Sequence, residues 1–216
     1  MMRKSLVFGM LGSLWLVAIG DAAPKPSLAP TTWELRFRYS DPERIAVTVP
    51  GQAEPVVYWY MRYTIENQTG DTRDFYPTFE IVTDTLRVTQ SEVGVSPEAF
   101  RAIQRRWKDA LLLEPSRMNG PLLVGEDRAK HGVAIWPDID PKAREFTVYV
   151  RGLSGETSRV RNPAYDPAKP AGAENRPNFI LFKTLAIPYR LPGGGGEARS
   201  MAVPERLSRD PQWVMR

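Results

Sequence analysis

Enzymatic chemistry needs side chains that move protons, attack electrophiles or hold ions, and this 216-residue chain offers few of them. It has no cysteine, which excludes thiolate nucleophiles, thiolate metal sites, disulfides and lipidated cysteines. The single histidine, His131, would have to be the base of any Ser-His-Asp system. Ser154 sits in Gly-Leu-Ser-Gly-Glu, which superficially matches a nucleophile elbow. Gly155 follows the serine directly, and the context is strand-turn-strand where an elbow needs strand-turn-helix. No serine lies three residues before a lysine, so the Ser-x-x-Lys pattern is absent.

A metal at His131 would lack a second imidazole. Asp138 and Asp140, in Trp-Pro-Asp-Ile-Asp-Pro, could offer two carboxylates to calcium, yet the twelve-residue calcium loop is missing and Asp-Pro pairs are turn formers. Gly193 to Gly196 lacks the Lys-Ser/Thr and the helix of a phosphate loop, and reads as a hairpin tip. Paired carboxylates for glycoside hydrolysis depend on a separation that only a fold reveals. The expectation is therefore no catalytic residue, no metal site and no cofactor.

Aromatic side chains carry the remaining binding potential. In Val56 to Glu66 the residues Val57, Trp59, Met61, Tyr63 and Ile65 share one face of a strand. Tyr58, Tyr60 and Arg62 share the other, and if that face is open they form a candidate ligand-binding surface for sugar rings or a protein. If a second layer covers it, the same residues are core.

The elements that would position such a surface are mostly strands. Trp33, Leu35, Phe37 and Tyr39 alternate with Glu34, Arg36 and Arg38, and Ile45, Val47 and Val49 repeat the pattern. The turn formers Asn67 to Asp71 lead into a strand from about Asp74 to Thr83, predicting an antiparallel hairpin with Val56 to Glu66. Pro77 marks an edge or a bulge in it. Ser96 and Pro97 read as N-cap and first residue of an amphipathic helix over about 97–113, with Phe100, Ile103, Trp107, Ala110 and Leu111 at helical spacing and Glu114-Pro115 closing it. Strands follow at Pro121 to Val124, Gly132 to Trp136, Glu145 to Val150, Thr157 to Val160, Asn178 to Leu191 and Gln212 to Met215. The four prolines within 162–177 predict a long exposed loop. The fold class expected is mainly β: an antiparallel sandwich, immunoglobulin-like, with one helix inserted.

Residues 1–22 read as a signal peptide, with Arg3 and Lys4 before the apolar run Leu6 to Ile19 and small residues at Gly20 and Ala22. The apolar run is too short for a stable span, and no later segment could cross a bilayer as a helix. Residues 23–31 form a proline-rich leader, expected to be extended and mobile, and 32–216 a single domain. Removing 1–22 lowers the formal charge from +4 to +3. The basic residues are interleaved with 25 acids, a solvated surface and not a nucleic-acid footprint.

Gly132-Val133-Ala134-Ile135-Trp136, Phe146 to Val150, Gly152 to Gly155, Tyr58-Trp59-Tyr60 leading into Tyr63 to Gly70, Lys183-Thr184-Leu185 and Trp213 to Arg216 carry one resemblance. Together they resemble an uncharacterised group of secreted β-rich proteins from planctomycete-type bacteria. The resemblance covers roughly residues 55–160 and the C-terminal strands. It implies export and one β-rich domain, and brings no catalytic residues. The functional expectation is an exported, non-enzymatic interaction or structural module of the cell envelope, periplasmic or extracellular, whose partner is an envelope protein or a glycan. The alternatives are a carbohydrate-binding module using Tyr58 and Tyr60 and a hydrolase using paired carboxylates.

Overall fold

Strand β3, Val56–Glu66, organises the first sheet, and both of its faces are apolar enough to be covered. On one edge it pairs antiparallel with β1, Arg36–Tyr39, and β2, Glu43–Val47. The register slips by one residue between Arg36↔Glu66 and Glu43↔Tyr60, a bulge at Ser40 to Pro42 that kinks one edge strand into two. On its other edge β3 pairs along Tyr58 to Ile65 with β8, Lys130–Pro137. The computed structural model behind this description covers residues 23–193 and 203–216. The signal-peptide expectation over 1–22 and all but Gly193 of the glycine-rich tip lie outside the described residues.

The second sheet is antiparallel throughout. It centres on β9, Glu145–Arg151, and β11, Asn178–Arg190. Strand β9 also pairs with β5, Thr78–Thr83, which pairs with β6, Val88–Gln90. Strand β10, Thr157–Arg161, continues the β9 edge of β11 after the loop Gly152 to Gly155. Two short strands, β12 (Glu205–Arg206) and β13 (Gln212–Met215), also pair with β11. A third ladder joins β4, Arg73–Phe75, to β7, Gly120–Leu122.

The hairpin expected between Val56–Glu66 and Asp74–Thr83 does not form. Pro77 splits the second segment into β4 and β5, and there the chain passes from the β4–β7 ladder into the second sheet. Proline cannot donate to a ladder, so the break falls where a continuous strand would lose a bond.

Both faces of β3 are buried, by different partners. Trp59, Met61, Tyr63 and Ile65 pack with Phe79, Phe146, Val148, Val150, Ile187 and Tyr189 of the second sheet. Tyr58 and Tyr60 pack with Phe100 and Ile103 of helix α1, Pro97–Trp107. Helix α1 starts on Ser96, whose Oγ accepts from Glu98 N–H at 3.3 Å, with Pro97 in the first turn. It ends at Trp107, earlier than periodicity suggested, because Lys108 turns left-handed (φ 49°) and closes back on Gln104 C=O. Ala110 and Leu111 lie beyond it, and Pro115 opens a second helix, α2, Pro115–Met118.

The leader is tied down. Ser27 N–H donates to Glu156 Oε1 at 2.8 Å, and Ser27 C=O accepts from Lys183 Nζ at 3.2 Å. Loop 162–177 has no strand, but Asn162 and Asn175 side chains bind its backbone carbonyls at Asp166, Lys169, Pro170, Glu174 and Arg176. The absence of a regular element there is offset by amide groups that take the place of a ladder.

Candidate functional site

Helix α1 covers the face that carries Tyr58, Tyr60 and Arg62, so of the two readings the sequence left open, an exposed surface or a covered one, the tyrosines belong to the second. Tyr58 is 3% and Tyr60 0% exposed. Tyr60 Oη donates to Glu43 Oε2 at 2.8 Å and accepts from Trp107 Nε1 at 3.0 Å. Arg62 lays its guanidinium 3.5 Å above the Trp107 ring centroid. Tyr60 and Arg62 seat the end of α1 and Tyr58 Oη accepts from Ser96 N–H at 3.4 Å at its start, so a sugar could stack on the tyrosine rings only by displacing the helix.

His131 and Asp109 meet beside this seat, with Nδ1 to Oδ2 at 3.3 Å, in a cleft of about 430 Å³ shared with Arg38, Ser40 and Thr64. Burial works against the Asp109 carboxylate, but bonds from Leu111 N–H and His131 outweigh it and hold its pKa below the ordinary range. Asp138 and Asp140 are engaged separately. Asp138 accepts from Trp59 Nε1 at 2.8 Å and Arg44 at 2.9 Å, whereas Asp140 accepts from Thr85 Oγ1 and Lys142 N–H, both at 2.8 Å. Among the described residues no group of three or more histidines and acids is placed to hold a metal, and no helix is long and apolar enough to cross a membrane. Ser154 Oγ accepts from Glu156 N–H within the turn.

A different cleft, of about 440 Å³, opens at the free edge of β8. Its floor is Val133 to Ile135, and apolar walls come from Phe79, Val95 and Phe100. That volume falls in the range of small-ligand pockets. The register explains why its floor is polar. Arg62 directs its backbone toward the opposite edge, donating N–H to Ser40 Oγ and accepting from Ser40 N–H. Its partner across the ladder, Val133, therefore points its own N–H and C=O away from β3, into the cleft.

The outward groups on either side of Val133 are taken. His131 C=O accepts from Leu113 N–H at 2.8 Å. Ile135 C=O accepts from Glu92 N–H at 2.8 Å, and Ile135 N–H donates to Glu92 Oε1 at 3.0 Å. Among the described residues Val133 has no such partner: an open pair of backbone groups stands between two closed ones. An unpaired backbone group shielded from water costs about as much as a lost hydrogen bond, so the position favours an incoming donor and acceptor.

Glu92 clamps Ile135 from a left-handed backbone (φ 67°), a conformation that costs a side-chain-bearing residue and that tends to accompany functional sites. The residue is exposed, while its carboxyl turns inward onto β8. Burial of that carboxyl pushes its pKa up to about 7, against the pull of the Ile135 N–H bond. Glu114 lines the same cleft, and no lysine, arginine or histidine does. Close approach at this edge also needs Gly132: a Cβ there would sit 2.5 Å from Tyr63 Cζ and 2.8 Å from Met118 Cε.

Neither Glu92 nor Val133 stood out in the sequence. The segment Ser91 to Gly94 lies between the expected strand and helix and carries no motif, and Val133 looked like any residue of an apolar strand. Compared with known proteins, the chain matches no family model, no curated protein and no solved structure.

Proposed function

We propose that this protein is an exported, non-enzymatic, immunoglobulin-like β-sandwich of a planctomycete-type secreted group, acting as an interaction module of the cell envelope through the cleft at the edge of β8. The observation that carries the reading is the unpaired backbone of Val133 on the floor of an apolar cleft of about 440 Å³. Partner strands commonly add to such edges, with main-chain bonds giving affinity and flanking pockets giving selectivity. The leader bound through Ser27 supports the reading as well, since it holds the chain preceding the domain against the second sheet.

The test is a photoreactive amino acid at Asn119, which is exposed on the rim of this cleft, in cells that export the protein. The reading expects a discrete crosslinked species in the envelope fraction that is absent when the label sits at exposed Arg159 on β10. The same adducts from both positions would overturn it.

One observation favours a second reading, a hydrolase using paired carboxylates. Glu92, with its raised pKa, and Glu114 share one cleft, as an acid and a base would. That reading requires turnover of an envelope polymer that Glu92→Gln abolishes.

A further inference from the structure

We infer that the β8 cleft takes the extended N-terminal end of a partner polypeptide, pairing its backbone with Val133 and its α-ammonium with the carboxylate of Glu92. This deepens the interaction-module reading and rests on the cleft being a binding site.

Three observations converge. The outward N–H and C=O of Val133 present a donor and an acceptor at strand spacing, and a peptide backbone matches both at once. The edge is closed on either side, by Leu113 at His131 and by Glu92 at Ile135. From 131 to 135 a strand advances roughly 13 Å, room for about three ligand residues. A strand running through would collide with one closure or the other, so a chain terminus fits where an internal segment does not. The charges then select which terminus. Glu92 and Glu114 are the ionisable carboxyls of the lining, the Tyr63 phenol is the other titratable group facing Glu92, and no cation stands among the lining residues. A C-terminal carboxylate would meet two acids, and an α-ammonium meets complementary charge. The walls of Phe79, Val95 and Phe100 suit apolar side chains at the first positions of the ligand.

The experiment uses the full chain, isotope-labelled, against a library of tetrapeptides tethered through their C-termini with free amino groups. Selected peptides are then measured free and N-acetylated, and against Glu92→Gln. A hydrogen bond between charged groups contributes enough that acetylation, and separately Glu92→Gln, should weaken binding about tenfold or more. Binding should also shift and protect the Val133 amide. Acetylated peptides binding as well as free ones, or selected peptides that leave the Val133 amide unchanged, would overturn the inference. The acetylation arm needs no variant, so a misfolded Glu92→Gln leaves the test intact. A parallel screen with small uncharged apolar amides separates the two levels of the account. If these shift Val133 to Ile135 while no peptide is selected, the terminus inference falls and the cleft stands as a binding site. If neither binds, both fall.

Discussion

Lys183→Met isolates the most unusual buried group in the molecule. The Lys183 side chain is 1% exposed, with Nζ 3.2 Å from Glu34 Oε2 and 3.3 Å from Glu156 Oε2. It also donates to Ser27 C=O and lies 5.0 Å from the Trp213 ring centroid. Methionine keeps most of the aliphatic volume, so the change removes charge without opening a large cavity. It leaves two carboxylates facing each other without their shared cation. Removing one partner of a buried ion pair costs about 3–5 kcal/mol. Glu34 is a quarter exposed and can rehydrate, which sets the expectation near the lower end, about 3 kcal/mol. At roughly 2–4 °C per kcal/mol for a domain of this size, Tm should fall about 6–12 °C.

Urea denaturation followed by tryptophan fluorescence measures the loss. The variant Lys183→Met/Glu34→Gln/Glu156→Gln should recover at least half of it, because neutral amides remove the repulsion. Protease should also cut the leader sooner in Lys183→Met, since one of the two bonds at Ser27 is gone. A loss below about 1 kcal/mol, or no recovery in the triple variant, would refute the view that the Lys183 cation bridges two carboxylates to tie the leader to the second sheet.

Other expectations are simpler to check. Gly132→Ala should destabilise by about 1–3 kcal/mol, read by urea midpoint, because the new methyl overlaps Tyr63 and Met118, both held in the core. Trp107→Ala should cost about 1–2 kcal/mol by losing the stack on Arg62 and the bond to Tyr60, and should increase amide exchange in the last turn of α1. The raised pKa of Glu92 makes folding favour its protonated form. That contribution is fully present below about pH 4.5 and is lost as pH rises through about 7. Discounted for the exposure of the residue, the effect is on the order of 1 kcal/mol. Glu92→Gln should flatten the stability profile across that window in pH-dependent denaturation. Asp109 is depressed instead, so its contribution is lost as pH falls into the acid range, and the two effects separate along the pH axis.

How far the sequence could be read followed from how local each feature is. Aromatic and β-branched runs gave Val56–Glu66 and Gln212–Met215 at the bounds the structure has. Ser96 and Pro97 marked the start of α1 because capping is a local exchange between neighbours. The end of α1 escaped detection because Ala110 and Leu111 kept the spacing while Lys108 turned left-handed, a position where the sequence has no glycine to announce it. The false hairpin arose because a strand pattern does not say which sheet a strand joins, and Pro77, read as an edge or a bulge, is a crossing between ladders. Tyr58 and Tyr60 were readable as one face, open or covered, and which of the two holds is decided by α1, about 40 residues on in sequence. Lys183 sat in a strand run where lysine usually faces solvent, and its two carboxylate partners lie far away in the chain. The Val133 edge is the least local feature of all. It exists because β1 and β2 take the far edge of β3, while Leu113 closes on His131 C=O and Glu92 on both backbone groups of Ile135, leaving Val133 between them.

Native-state hydrogen exchange of the Val133 amide in the unliganded protein bears most directly on this account. Gly132 and Ala134 turn their amides toward β3, whereas Val133 turns its amide into the cleft. Val133 should exchange at least about a hundredfold faster than Ala134, since an amide without a partner needs no opening of the sheet. Equal protection of the two would mean that the edge is already paired, and the cleft would then hold no open backbone for a partner to meet.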